Sequence, residues 1–307
     1  MEYISDLERE LGMTQEPWGL VLGELDQAAQ TGRLVEDLRA RAAALAPGDT
    51  DELGRIYEEI LERPAPATWP HFESSDVAEI VAALPTDGPT VACRDLADRI
   101  GGAWVARIAG NMMGKPFEIG PTRDSIREYL TAQDAYPLQG YVPFPDGADR
   151  GALGMWGYEG VTEGRIEGAV RDDDIDYTVL ALHLVETYGP RYTTRDVAVE
   201  WLTRLPVYQV FTAERNTYQN LVREVPLEEA GEYHNPFREW IGALIRADLF
   251  GFIYPGRPRA AALATLPDAL LSHRANGIYG EMWAAALVST AFTATRPEAS
   301  IVESLRH

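Results

Sequence analysis

Four carboxylates fall within five positions at Arg171-Asp172-Asp173-Asp174-Ile175-Asp176-Tyr177-Thr178, directly ahead of the apolar run 179–185. Their mutual repulsion has to be offset. A helix N-terminus offsets part of it, because its free N–H groups and dipole favour negative charge. A bound divalent cation offsets far more. Oxygen donors with no Cys or His beside them select a hard ion such as Mg²⁺, Mn²⁺ or Ca²⁺. Two readings therefore fit this run: an acidic, solvated helix start, or a cation site.

Two further clusters carry polar groups at turns. In Ala109-Gly110-Asn111-Met112-Met113-Gly114-Lys115-Pro116-Phe117-Glu118, glycines flank a helix end, Pro116 stops it, and Glu118 is displayed just beyond. A plain helix C-terminus with a following turn gives the same pattern, with Lys115 as a solvated cation near the last carbonyls. In Ser272-His273-Arg274-Ala275-Asn276-Gly277-Ile278-Tyr279-Gly280-Glu281, an Asn-Gly turn separates two helical patterns and gathers groups that could face a pocket. His273 also reads as a helix-end or core donor, and Asp248 and Asp268 read as structural acceptors.

The elements that position these clusters are helical throughout. Candidate helices cover 75–84, 95–113, 125–132, 175–188, 194–205, 212–225, 237–250, 257–271 and 279–294, with Pro206, Pro226, Pro236 and Pro255 between several of them. Thr193 and Asp196 form a cap signal ahead of one. Residues 1–63 add amphipathic patterns, among them 4–11 and 53–60, with Pro47-Gly48 as a stop. The segment 63–70 holds Pro64, Pro66 and Pro70 and reads as an extended connector. Small residues from Gly101 to Gly110 predict a close approach of another helix or a ligand to that backbone. Between 140 and 168 eight glycines break all regularity, and Tyr141, Phe144, Trp156 and Tyr158 lie among them. A loop of that length and aromatic content fits one that packs over something. Sustained β alternation is nearly absent, so the fold class is all-α.

Composition narrows the partners. The 307 residues carry a net charge of −21, which argues against a nucleic-acid surface. One cysteine, Cys93, excludes an internal disulfide framework and a zinc ribbon. No run approaches the ~18–20 apolar residues of a membrane span, and the N-terminus lacks a signal pattern. The expectation is a soluble, cytoplasmic protein, in which a local basic pocket could still bind one small phosphate-bearing molecule.

The stretches 109–118, 168–182, 237–251 and 272–292 together resemble the ADP-ribosylglycohydrolase family over about residues 95–307. The family's Gly-Asp-Ala-x-Gly-x-x-x-Glu element corresponds to Gly110 through Glu118, with Asn111 where Asp is usual. Its Thr-Asp-Asp-Thr element corresponds to Asp172-Asp173-Asp174-Ile175, which keeps the two aspartates and neither threonine. Its late Asp-x-Asp-Thr element has no counterpart within the 307 residues.

The resemblance implies an orthogonal multi-helix bundle over 90–307, with 1–85 as an accessory helical segment. It implies cleavage of an ADP-ribosyl or related N- or O-ribosyl bond, assisted by one or two Mg²⁺ or Mn²⁺ ions. Asp172, Asp173, Asp174 and Glu118 would hold metal, with Glu118 and Asp174 catalytic. Asn111, Trp156, Tyr158, His273, Asn276 and Tyr279 would contact the substrate. Two rival readings remain at this level. Asp172 to Asp176 also matches the DDxxD element of class I terpene cyclases and prenyl transferases, with Asn216, Asn220 and Glu224 as half of their second motif. The other rival is a catalytically silent relative that binds ADP-ribose.

Overall fold

The computed structural model describes residues 17–46, 48–86, 92–154 and 159–305. Among them the secondary structure is entirely helical. In chain order the α-helices are α1 (Pro17–Gln30), α2 (Glu36–Ala43), α3 (Thr50–Glu62), α4 (Val77–Ala83), α5 (Leu96–Gly114), α6 (Arg123–Ala132) and α7 (Asp173–Tyr188). They continue as α8 (Thr194–Arg204), α9 (Thr212–Val222), α10 (Asp248–Ile253), α11 (Pro258–Ser272), α12 (Asn276–Ala291) and α13 (Pro297–Ser304). None of these helices is long and apolar enough to cross a membrane. The expected helix at 4–11, Pro47, Trp156 and Tyr158 lie outside the described residues.

The chain divides into two compact units: one takes the N-terminal segment through Ala92 together with Leu180 onward, the other Cys93–Val179. In the first, α3 buries Leu53, Ile56, Tyr57 and Ile60 at helical spacing and starts on acidic residues Asp51 and Glu52. Those side chains join Leu20, Val21, Leu25 and Ala28 of α1 and Leu38 and Ala42 of α2 in one core. Glu24 of α1 is completely buried because Arg238 takes both its oxygens, at 2.6 and 2.8 Å. The N-terminal helices are thereby tied to the segment after α9. A second core packs Ile80 of α4 against Ala262, Leu266 and Ala269 of α11 and Ile278, Met282 and Ala286 of α12.

Several boundaries differ from the periodicity. The cap at Thr193 is a reciprocal capping box with Asp196. The expected helix 212–225 stops at Val222, and Glu224 takes a left-handed backbone at φ 62°. The expected helix 237–250 is broken into turns, a single 3₁₀ turn at Leu244–Arg246 and the short α10. Here tertiary contacts override the apolar pattern. The N–H of Ala243 donates to His273 Nε2 at 3.3 Å, and Gly242 lies so close to Glu214 that a Cβ would stand 2.1 Å from its carboxylate. Arg246 beneath this turn is 1% exposed and binds Glu214 and Asp268, each at 2.5 Å. With Glu281 also buried, three acids face one guanidinium. Burial, then Asp268, push the Glu281 carboxyl well above the usual range.

The second unit holds α5, α6 and the glycine-rich loop. Its core is small: Val142, Phe144 and Leu153, with Phe117 and Tyr129 packed on it. The sequence predicts close contacts along the small residues of α5. A Cβ at Gly101, Gly102 or Gly110 meets nothing within 4 Å, so among the described residues those positions open onto space.

Candidate active site around Asn111 and the aspartates at the start of α7

Asp172 sits immediately before α7 and acts as its cap. Its main-chain oxygen accepts from Asp176 N at 2.9 Å, and its Oδ1 accepts from Asp174 N at 3.0 Å. The first turn of α7 then carries Asp173, Asp174 and Asp176. Capping explains why the run starts a helix, and the helix N-terminus lowers part of its electrostatic cost. Asp176 is diverted to an ion pair with Arg171, and burial raises its pKa against the opposing pull of that guanidinium.

The other wall of the site is one face of α5 and the turn after it. Arg107, Asn111 and Lys115 are spaced by four residues, which places them on the same side. Asn111 Nδ2 donates to Asp172 Oδ1 at 3.0 Å and to Asp174 Oδ2 at 2.8 Å, bridging the two carboxylates. Arg107 Nη2 donates to the main-chain oxygen of Asp174 at 2.6 Å and stands 3.6 Å from its Oδ1. Lys115 Nζ is in direct contact with Asp172 Oδ2 and lies 3.4 Å from Glu118 Oε2. The sequence reads Lys115 as solvated; its side chain is only 3% exposed, because Asp172 supplies the buried counter-charge.

Glu118 ends the 3₁₀ turn Lys115–Phe117 and is held in place by the backbone. Gly154 N donates to Pro116 O at 2.7 Å, and a Cβ on Gly154 would stand 2.0 Å from Glu118 O, so only glycine permits this approach. Ile119 follows at φ 53°, a left-handed conformation that is costly for a β-branched residue. The Glu118 side chain is 45% exposed, whereas that of Asp172 is 7% exposed. One carboxylate thus faces solvent while its neighbour is enclosed.

The donor set can be tested against a hard cation on its own chemistry. Three carboxylates, those of Asp172, Asp174 and Glu118, face two cations, Lys115 and Arg107. Asn111 Oδ1 is buried with no hydrogen-bond partner among the described residues, a costly state for an amide oxygen. An oxygen-only set with an orphaned carbonyl oxygen fits Mg²⁺ or Mn²⁺. No group of three or more His, Cys, Asp or Glu side chains among the described residues is arranged to hold a metal by itself. A cation here would need a further oxygen donor, and the unpartnered Asn111 Oδ1 is the available candidate among the described residues.

His273, Asn276 and Tyr279 belong to the other compact unit. His273 is completely buried: Nδ1 meets Ser272 Oγ at 2.7 Å and Nε2 accepts from Ala243 N. Burial first, then Arg246 and Arg274, hold its pKa well below the usual value. It stands among core residues. Asn276 Nδ2 donates to Glu239 at 2.8 Å and to Glu73 at 3.3 Å, and Tyr279 OH donates to Ser74 O at 2.5 Å while its ring stacks on Phe72. Both fasten the connector that precedes α4. The cyclase-like triplet does not form one helix face. Asn216 and Asn220 are buried donors to His234 O and to Ala230 O and Tyr233 O, and Glu224 lies beyond the end of α9.

Sequence reasoning missed Arg107 and the buried role of Lys115. The signal was present in their four-residue spacing about Asn111. Compared with known proteins, residues 92–307 match the family model described as ADP-ribosylglycohydrolase. No curated protein and no solved structure matches the chain.

Proposed function

The chain belongs to the ADP-ribosylglycohydrolase family, and on that premise we propose that it hydrolyses an ADP-ribosyl, or related N- or O-ribosyl, bond with the help of Mg²⁺ or Mn²⁺. The observation that supports this reading is the pair of carboxylates bridged by Asn111, with the exposed Glu118 beside them.

Breaking a bond at a ribose C1″ develops oxocarbenium-like charge, which carboxylates in a partly enclosed site stabilise. Asp172, Asp174 and the Asn111 carbonyl oxygen would hold the cation, with Asp173 at its margin. A cation there supplies a fixed positive charge for ribose hydroxyls and a water of lowered pKa. Glu118 is the only one of these acids displayed to solvent on a turn fixed by backbone contacts, so it serves as the general base that aligns the attacking water. Asp174, held by Asn111 and Arg107, orients the ribose with its negative charge. Arg107, on the main-chain oxygen of Asp174, keeps the first turn of α7 in register with α5.

The test is release of free ADP-ribose from ADP-ribosylated arginine or from an ADP-ribosylated protein, with Mg²⁺ and with chelator. Turnover that needs the metal and falls at least about a hundredfold in Glu118→Gln and in Asp174→Asn supports the reading. Turnover unchanged in both variants removes these residues from the chemistry. Tight ADP-ribose binding without turnover, indifferent to chelator, leaves a binding protein instead of an enzyme.

A further inference from the structure

Lys115 is a buried cation in the site, enclosed against the acids the proposed reaction uses. Burying an ammonium is costly unless a counter-charge meets it. Here two carboxylates do: Asp172 in direct contact, Glu118 at 3.4 Å. The stem cannot leave by backbone movement. Lys115 N–H donates to Asn111 O at the end of α5, Pro116 fixes the next residue, and Pro116 O is held by Gly154. The head has freedom that the backbone lacks, because four rotatable torsions lie between them and Glu118 extends toward solvent.

We propose that Lys115 is a tethered internal cation that competes with the divalent ion for Asp172 and so sets the metal affinity of this site. The proposal rests on the reading above, in which a cation is held at Asp172 and Asp174. With the ammonium on Asp172, the two bridged carboxylates stay assembled around Asn111 without any ion. For a divalent ion to use Asp172, the ammonium would have to withdraw along its stem toward Glu118, leaving Asp172, Asp174 and Asn111 as the residues that would hold the ion. A positive charge in contact with a would-be ligand weakens ion binding by direct repulsion and by occupying a lone pair. The chain therefore binds Mg²⁺ more weakly than its carboxylates alone would.

The experiment is calorimetric titration of the full chain with Mg²⁺ and Mn²⁺, for wild type, Lys115→Gln, Lys115→Met, Lys115→Arg and Asp174→Asn, with thermal unfolding measured with and without metal. Lys115→Gln keeps a neutral donor for Asp172, so it folds even where Lys115→Met does not. Its metal affinity rises at least about tenfold over wild type, while Lys115→Arg, which retains the charge, shows no gain. Without metal both neutral variants unfold at lower temperature than wild type, and saturating Mg²⁺ restores them by more than it raises wild type. Equal or weaker metal binding by Lys115→Gln, with wild-type binding still lost in Asp174→Asn, overturns the competition and leaves the metal site standing. Absence of binding in every variant, Lys115→Gln included, overturns the metal reading and this proposal with it.

Discussion

Asn111 stands where the family's motif has Asp, so Asn111→Asp asks what the amide does. Its Nδ2 donates to two ionised carboxylates, at 3.0 and 2.8 Å. A hydrogen bond to a charged acceptor contributes about 1.5–3 kcal/mol. A carboxylate in its place removes both donors and sets a third negative charge about 3 Å from two others. At an effective dielectric of about 20 each such contact costs on the order of 5 kcal/mol before Lys115 and Arg107 relieve it. The new carboxyl takes up a proton instead of bearing that cost, and a protonated acid offers one O–H where the amide offered two N–H groups. The net loss is about 3 kcal/mol at neutral pH without divalent ions.

Urea unfolding measures it, with Asn111→Ala beside it to remove the donors without adding charge. Asn111→Ala loses about 2 kcal/mol and Asn111→Asp more. The extra penalty of the Asp variant belongs to a group whose folded pKa lies above its unfolded value. It is therefore full above the folded pKa and fades as pH falls toward the unfolded value near 4. On the metal reading, Mg²⁺ narrows the gap between Asn111→Asp and wild type. An Asn111→Asp chain as stable as wild type without divalent ions, and no more pH-sensitive, refutes the bridging role of the amide.

Gly154→Ala places a Cβ 2.0 Å from Glu118 O, so the backbone of the Glu118 turn must move; unfolding free energy drops by about 2–4 kcal/mol and any Glu118-dependent turnover falls with it. Glu24→Ala leaves the Arg238 guanidinium enclosed without its bidentate partner, which costs about 3–5 kcal/mol by denaturant titration; wild-type stability in this variant would mean that α1 is not anchored there. His273 is neutral in the folded chain because burial depresses its pKa, whereas the unfolded chain protonates it near 6.5. Its contribution is thus complete above about pH 6.5 and is lost as pH falls below that value, and His273→Leu flattens this part of the stability–pH curve whatever its effect on overall stability.

The helical class, most helix cores and the acidic cap of α7 were legible because each is written in local spacing: Leu53, Ile56 and Ile60 mark α3, and Thr193 with Asp196 marks the start of α8. The segment 237–250 was not, because its apolar pattern is helical while its geometry is decided by Glu214 and His273, one arriving from α9 and the other from the end of α11. His273 shows the same limit from the other side. A histidine between two helices reads as a site residue until its two ring nitrogens are seen bonded to Ser272 and to the Ala243 N–H. Tyr279 and Asn276 likewise look available in the sequence because the connector they hold, 69–76, is far away along the chain.

Residue type marked the acidic run 172–176 as a cation candidate, and the family resemblance added Glu118, but a carboxylate has meaning only with its counter-charges. Those counter-charges lie about sixty residues earlier, on α5 and the turn that follows it. The four-residue interval of Arg107, Asn111 and Lys115 is the local sign that one helix face is cationic and amidic while the facing helix start is anionic. Pairing such a face with an acidic helix start is a long-range inference that spacing makes possible. In this chain the pairing also separates the acids into classes: Asp172 enclosed and neutralised by Lys115, Asp174 shared between Asn111 and Arg107, Asp176 diverted to Arg171, and Glu118 left facing water. That division, set by burial and partners and not by residue identity, is the ground on which we propose Glu118 as the base and Asp172 as the contested ligand.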